Sequence, residues 1–209
     1  MARPVDLTAP LGSSTPTFPG DPPIRVLAVR SLARGDPYAL STLALGSHSG
    51  THLDAPSHFV PGGAAVDTAD LELLNGPALV LEVPEGARAI GASELPAWPS
   101  GTLRVLFRTR NSARFAAGEG FFDDFVALTD AAAAVLLERG VRLVGVDGLS
   151  VERDPSRSFP VHHRLLGGGA WILEGLRLAD ARAGVHELRC LPLRLTGADG
   201  SPCRAALWT

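Results

Sequence analysis

Three histidines and an aspartate crowd into one short stretch, "GSHSGTHLDAPSHF" at residues 46–59: His48, His52, Asp54 and His58. Six histidines in 209 residues place roughly 0.3 in an 11-residue window by chance, against the three found here. Imidazole and carboxylate are ligand types for Zn²⁺, Mn²⁺ and Fe²⁺. Spacing decides whether they converge. On a helix, at roughly 100° per residue, His48 and His52 lie about 40° apart but Asp54 about 240° from His48. In an extended chain, side chains alternate with period two, so positions 48, 52 and 54 point to one side. Gly50 and Pro56 also oppose a helix. The segment therefore reads as the end of a strand running into a loop, with its polar side chains aimed into one pocket. Two histidines and one carboxylate leave coordination positions open, and open positions belong to catalysis, because structural zinc sites are closed.

His58 calls for a separate role. A water bound to a divalent ion has a pKa near neutrality and attacks a carbonyl well. The leaving amine then needs a proton, which a histidine near the ion but not on it can carry. The alternatives for His58 are a fourth ligand and a packing residue. Asp147, at the end of "VRLVGVD", stands equally as an active-site residue or a turn former, and Ser150 is similar. Asp21 reads as structural.

The elements that must position these residues form an α/β pattern rich in strands. "TPTFPGDPP" is a Pro/Gly turn cluster. "IRVLAVRSLA" and "YALSTLALGSH" read as strands joined through "RGDP", and "PALVLEVP" and "TLRVLFRT" as buried strands. "TDAAAAVLLERG" is the clearest helix, capped by Thr129 or Asp130 and ended by Gly140. "VRLVGVDGLSV" follows as a strand, which makes a parallel crossover. "PVHHRLLGGGAWILEGL" mixes a short helix, a glycine turn and a strand, and "HELRCLPLRLTG" and "PCRAALWT" close the chain as strands.

Composition narrows the function classes. The chain is 45% apolar and 20% charged with a formal charge of −3, so neither nucleic acid nor an anionic membrane surface is expected as a partner. No signal peptide and no apolar run of spanning length stand out. Cys190 and Cys203 form no C-x-x-C pair and suit a reduced, cytoplasmic chain; a disulfide between them stays open. "LLGGG" lacks the spacing and lysine of a phosphate loop, and no G-x-S-x-G elbow supports a serine hydrolase.

"HSGTHLDAPSHF" resembles the H-x-G-T-H-x-D-x-P-x-H motif of the cyclase-like metal-dependent hydrolases, which include bacterial kynurenine formamidase and isatin hydrolase. "FPGDPP", "LLNGPALVLEV", "GVRLVGVDGLSVE" and "FPVHHRLLGGGAWILEGL" resemble further blocks of that family, so the similarity runs over most of the chain. The resemblance implies a swivelling β/β/α domain, a strand-rich mixed sheet with flanking helices, as a single domain over residues 1–209. It implies His48, His52 and Asp54 as ligands of a first metal. Asp54, His162 and Glu174 would hold a second; His163 is the alternative to His162, which keeps the H-x-x-L-L spacing with Leu165 and Leu166. His58 matches the general acid/base. Glu174 lies inside the apolar run "AWILEGL", where an unpaired carboxylate is costly and a metal would remove that cost; an edge-strand glutamate facing water is the alternative.

The implied cofactor is one or two divalent ions, zinc first and manganese second. The implied substrate is a small aromatic amide. N-formylkynurenine, split to kynurenine and formate in tryptophan catabolism, comes first, and an isatin-like cyclic amide second. A non-catalytic metal- or small-ligand-binding protein is the competing reading. Phe18 and Phe59, with Phe121, Phe122 and Trp171, are the candidate pocket wall. The formamidases usually place Trp at the position of Phe18 and often Ala at that of Thr51. They also carry Lys where Arg157 stands, in a shifted register. A homodimer or homotetramer is implied, in which a neighbouring chain often completes the pocket.

Overall fold

The computed structural model describes residues 3–208. In chain order its elements are β1 (Pro4–Asp6), β2 (Arg25–Arg30), β3 (Leu40–Ala44), β4 (His52–Asp54), α1 (Leu71–Leu74), β5 (Asn75–Glu82), β6 (Arg104–Arg108), α2 (Arg110–Ala116), α3 (Asp130–Glu138), β7 (Leu143–Val146), α4 (Pro160–Gly167), β8 (Trp171–Glu174), β9 (Gly184–Pro192) and β10 (Gly200–Trp208). The main sheet runs β1-β10-β4-β8-β7-β6-β5-β9, and β9 also pairs with β10. The sheet thus closes into a barrel of seven strands, with β1 added outside on β10. Strands β5, β6, β7 and β8 are parallel neighbours, whereas β4 is antiparallel to both β8 and β10. The expected strand-rich mixed sheet with flanking helices is therefore present, and β6, α3 and β7 make the expected parallel crossover.

Alternation along the strands divides the apolar residues between two layers. Leu53, Val80, Leu106, Leu143, Leu173 and Leu207 pack together on one side of the sheet. Val105, Phe107, Val144 and Ile172 face the other way, against Leu136 of α3 and Leu165 of α4. Each fully buried leucine stabilises the fold by roughly 1.5–3 kcal/mol. The dry layers hold the barrel, which frees one stretch of the outer face for polar groups. Helix α3 begins as expected, with the Thr129 hydroxyl accepting from the Ala132 amide, and Gly140 leaves it in the left-handed region at φ 82°.

Two readings change, and Asp147, left open between two roles, proves to brace the start of α2. The histidine-rich segment is not the end of a strand: β3 stops at Ala44, a turn follows, and the short β4 sits in its middle. Strand β9 ends at Pro192, so "LRLTG" lies outside it. Asp147 is a structural residue of α2: its buried carboxylate accepts from the amides of Thr109 and Ser112 and from the side chains of Thr109, Asn111 and Ser112. Burial raises its pKa to about 6, with these hydrogen bonds opposing the rise.

Strands β2 and β3 form a separate two-stranded ribbon, with a 3₁₀ turn at Leu32–Arg34 in its connection. Every residue of both strands is exposed, including Val26, Leu27, Val29 and Leu43. No helix among the described residues is long and apolar enough to cross a membrane.

Candidate metal centre

Strand β4 is flanked by two strands from the other end of the chain, and its register fixes the first part of the site. His52 lies directly opposite Glu174 on β8, and Asp54 opposite Gly200 on β10. Two residues apart on one strand, His52 and Asp54 share a face, as their parity required. They point outward beneath the first turns of α4, which supply His162. His48 reaches the group from the turn before β4. His58 comes from the 3₁₀ turn Pro56–His58 just after it. The sequence spacing thus succeeds through three kinds of backbone.

Two glycines make this route possible. Gly50 and Gly175 both adopt left-handed φ, at 65° and 67°, and a Cβ on Gly175 would stand 2.2 Å from the Gly50 carbonyl oxygen. Thr51 points away from the site and latches the two turns: its hydroxyl donates to Gly175 O at 2.7 Å and accepts from the Ala9 amide at 2.9 Å. Gly200 leaves space for the His48 ring, since a Cβ there would lie 2.7 Å from His48 Cε1. Gly200→Ala is expected to weaken divalent-metal binding by about tenfold or more by displacing that ring, and to lower stability as well, because the same Cβ would lie 2.9 Å from the Leu53 backbone oxygen. A chelator competition titration beside a thermal melt checks it; unchanged affinity would show that the ring has room to yield.

His52, Asp54, His162 and Glu174 are each at most 4% exposed. His52 Nε2 lies 3.2 Å from Asp54 Oδ1 and 3.4 Å from Glu174 Oε2. His162 Nε2 lies 3.4 Å from Glu174 Oε1 and 3.9 Å from Asp54 Oδ2. His48 Nδ1 is 2.7 Å from Asp54 Oδ1. Asp54 lies within 4.0 Å of three imidazoles, His48, His52 and His162. Two groups of three, His48–Asp54–His58 and His52–Asp54–Glu174, have ligand atoms within 4.8 Å of one another.

The other ends of the rings are already held. His52 Nδ1 faces Gly50 O at 3.1 Å, and His162 Nδ1 donates to Glu152, whose carboxylate also accepts from the amides of Val161 and His162. Val151 N donates to Glu174 Oε1. These contacts leave the Nε2 atoms of His52 and His162 directed at the carboxylates. His52 Nε2 and Asp54 Oδ2 are buried without a hydrogen-bond partner. Buried polar atoms are costly in that state. Ligand atoms on bonds of roughly 2.0–2.2 Å to a tetrahedral ion stand about 3.3 Å apart, which is the spacing seen here. The residues present therefore fit a divalent cation.

The electrostatics agree. Burial disfavours the charged form of His52, but Asp54 and Glu174 outweigh it and raise its pKa to about 10. His162 is likewise opposed by burial and raised to about 10 by Glu152 and Glu174. Asp54 is held well below the usual carboxylate range by His48 and His52, against its burial. Carboxylates so placed demand positive charge beside them. His58 behaves differently: burial lowers its pKa, and the nearby His48 and His162 add to that against the pull of Asp54 and Glu174. Its shift is thus opposite in direction to those of His52 and His162.

The group opens into a cavity of about 300 Å³, walled on its apolar side by Phe18, Phe59, Leu149 and Phe159. Phe18 and Phe59 thus lie where a pocket wall was expected, and Ser150 and Asp21 line the cavity too. Phe121 stands behind Phe18, with ring centroids 5.6 Å apart. Phe122 and Trp171 do not reach the cavity: Phe122 packs with Phe115, and Trp171 lies in the barrel core. His163 is exposed. Sequence reasoning missed Phe159, Glu152 and Asp199. Phe159 has a left-handed φ of 51° just before α4, and a single sequence offers no signal for that. Asp199 Oδ2 lies 3.1 Å from His48 Nε2.

A family model described as "Putative cyclase" matches residues 5–153. The chain is 38% identical to "Kynurenine formamidase" of Bordetella pertussis, over 99% of this chain and 98% of that protein. Among solved structures it is similar to a predicted metal-dependent hydrolase from Bacillus stearothermophilus, with TM-score 0.85 and 30% identity over 99% of this chain and 98% of the other. It is also similar to isatin hydrolase A from Labrenzia aggregata, bound to benzyl benzoate, with TM-score 0.83 and 26% identity over 100% of this chain and 94% of the other.

Proposed function

Because this chain belongs to the cyclase family of metal-dependent hydrolases, we propose that it is an arylformamidase that hydrolyses N-formylkynurenine to kynurenine and formate. The observation that carries the metal chemistry is the pair of buried, unpartnered atoms, His52 Nε2 and Asp54 Oδ2, converging beside a phenyl-walled cavity. The substrate is supported by the kynurenine formamidase relative. Residues 1–209 are read as one hydrolase domain, which the closed barrel supports.

His48, His52, Asp54, His162 and Glu174 would hold one or two ions, zinc first and manganese second. Such an ion, when bound, supplies Lewis acidity toward a carbonyl and lowers the pKa of a water to near 7. The rest is the work of the chain. Phe18, Phe59 and Phe159 exclude water and receive the aryl ring, which turns the formyl carbon toward the carboxylate cluster. His58, with its pKa lowered and facing the same cavity, accepts the proton from the attacking water. It returns that proton to the aryl nitrogen as the C–N bond breaks. As a fourth ligand it would not move protons; its different electrostatics favours the first role.

The homo-oligomer belongs to the same reading. An isolated two-stranded ribbon is marginal in water, and the exposed β2–β3 ribbon carries apolar side chains that a second copy would cover. We place the protein in the cytoplasm, acting on a small amide without nucleic acid or membrane.

The test is formate release from N-formylkynurenine by zinc- and manganese-loaded protein, with metal content read by plasma mass spectrometry. Turnover with bound metal is expected. Background rates with N-formylkynurenine alongside turnover of isatin would establish the second reading, a lactam hydrolase, which the isatin hydrolase neighbour favours. No turnover of any amide by the loaded protein would leave a metal- or ligand-binding role.

A further inference from the structure

We propose that Asp199 is a positioning residue whose one carboxylate orients both a metal ligand, His48, and the proton carrier, His58. The inference rests on the functional reading above.

Asp199 immediately precedes β10, and its backbone carbonyl accepts from the Ala55 amide at 2.9 Å, which ties it to the end of the ligand-bearing β4. Its Oδ2 lies 3.1 Å from His48 Nε2 and 3.4 Å from His58 Nδ1. The two rings lie parallel above one another, with centroids 3.9 Å apart and planes 27° from each other. One oxygen therefore meets both members of a stacked imidazole pair.

Each contact has a chemical consequence. An imidazole that donates one N–H to a carboxylate offers its other nitrogen as a lone pair. With Nε2–H donated to Asp199, His48 directs Nδ1 at Asp54 Oδ1, 2.7 Å away, where Nδ1 donates a proton of its own; a bound ion would take that proton's place. With Nδ1 drawn to the same oxygen, His58 keeps Nε2 for proton transfer. The 3.4 Å approach is long for a hydrogen bond, as such contacts often are before substrate binds. Among the described residues the His58 ring makes no hydrogen bond, and Asp199 is the only carboxylate within 4.0 Å of it, so Asp199 is the group placed to select its tautomer. The Asp199 side chain is 46% exposed, so its removal opens no core cavity and the variants should fold.

The experiment compares Asp199→Ala, Asp199→Asn and His58→Ala as zinc-loaded proteins. Its readouts are kcat and KM on N-formylkynurenine, zinc affinity by chelator competition, and the ¹⁵N shifts of the His58 ring. Asp199→Ala is expected to lower kcat by roughly 10–100-fold and zinc affinity by about tenfold. KM should stay within about threefold, because aryl binding is elsewhere. The His58 ¹⁵N pattern should move toward mixed tautomers. Asp199→Asn, which keeps an accepting oxygen, should recover part of each loss. Parental kcat with unmoved ¹⁵N signals in Asp199→Ala overturns the proposal. So does a kcat loss that vanishes at saturating zinc. If His58→Ala is also fully active, the functional reading itself fails; if His58→Ala is inactive, only the role of Asp199 fails.

Discussion

Asp54→Ala is expected to yield a folded protein that holds no zinc through dialysis and hydrolyses no aryl formamide above background. Asp54 is the one carboxylate approached by His48, His52 and His162, and it shares its space with Glu174. Zinc sites with four ligands bind with roughly 10–16 kcal/mol, so each ligand contributes about 3–4 kcal/mol, or roughly 10²–10³ in affinity. A ligand shared by two ions would count twice. Folding should survive at pH 8, because the histidines that lose their carboxylate can shed a proton rather than stay charged and buried. Asp54→Asn keeps the shape and removes the charge, so it separates loss of ligand strength from loss of packing. Metal content and circular dichroism measured on the same samples check the prediction. Stoichiometric zinc in Asp54→Ala would show that the remaining donors suffice and that the carboxylate is not the centre of the site.

His58→Ala is expected to keep its metal and lose kcat by roughly 10²–10⁴-fold, the usual worth of a positioned proton carrier. The two variants should thus fail differently, one by losing the ion and the other by losing proton transfer. Burial, together with His48 and His162, keeps the His58 pKa below its ordinary 6.5, and Asp54 and Glu174 oppose this. The sign follows: with its pKa lowered, protonation of His58 removes the proton acceptor only as pH falls below 6.5. The part of the acidic limb that lies below pH 6.5 should therefore disappear in His58→Ala, while a limb near pH 7 from a bound water would remain. Added imidazole is expected to restore part of the rate. Joint loss of metal and activity would instead make His58 a ligand.

Much of the site could be read from residue types. His48, His52 and Asp54 share parity, and the structure brings all three together, but parity accounts only for the pair on β4. His48 arrives from a turn that Gly50 makes possible. A strand of three residues carries too little period-two signal to be placed from sequence; its position comes from the strands that flank it. Glu174 was conspicuous because a carboxylate inside "WILE" needs a reason, and β8 proves to be an interior strand rather than an edge. His162 needed the family motif, since His163 beside it has identical chemistry; the helix turns one ring inward and the other to solvent. Asp199 and Glu152 carry no motif in the sequence. Their partners lie 151 and 10 residues away, and no local pattern links them. Asp147 shows the converse: at a strand end it resembled a site residue, yet its five donors are all at the start of α2.

Strand β4 also sets a birth order for the centre. It is made early in synthesis, but the strands that flank it begin only at Trp171 and Gly200. Chains emerge from the ribosome N-terminus first. For most of translation His48, His52, Asp54 and His58 are therefore a loose acidic and basic stretch with no wall on either side. A tight seat exists only once the last strand has slid in beside Asp54 and closed the ring. The full set of donors can therefore close around an ion only after β10 has been made.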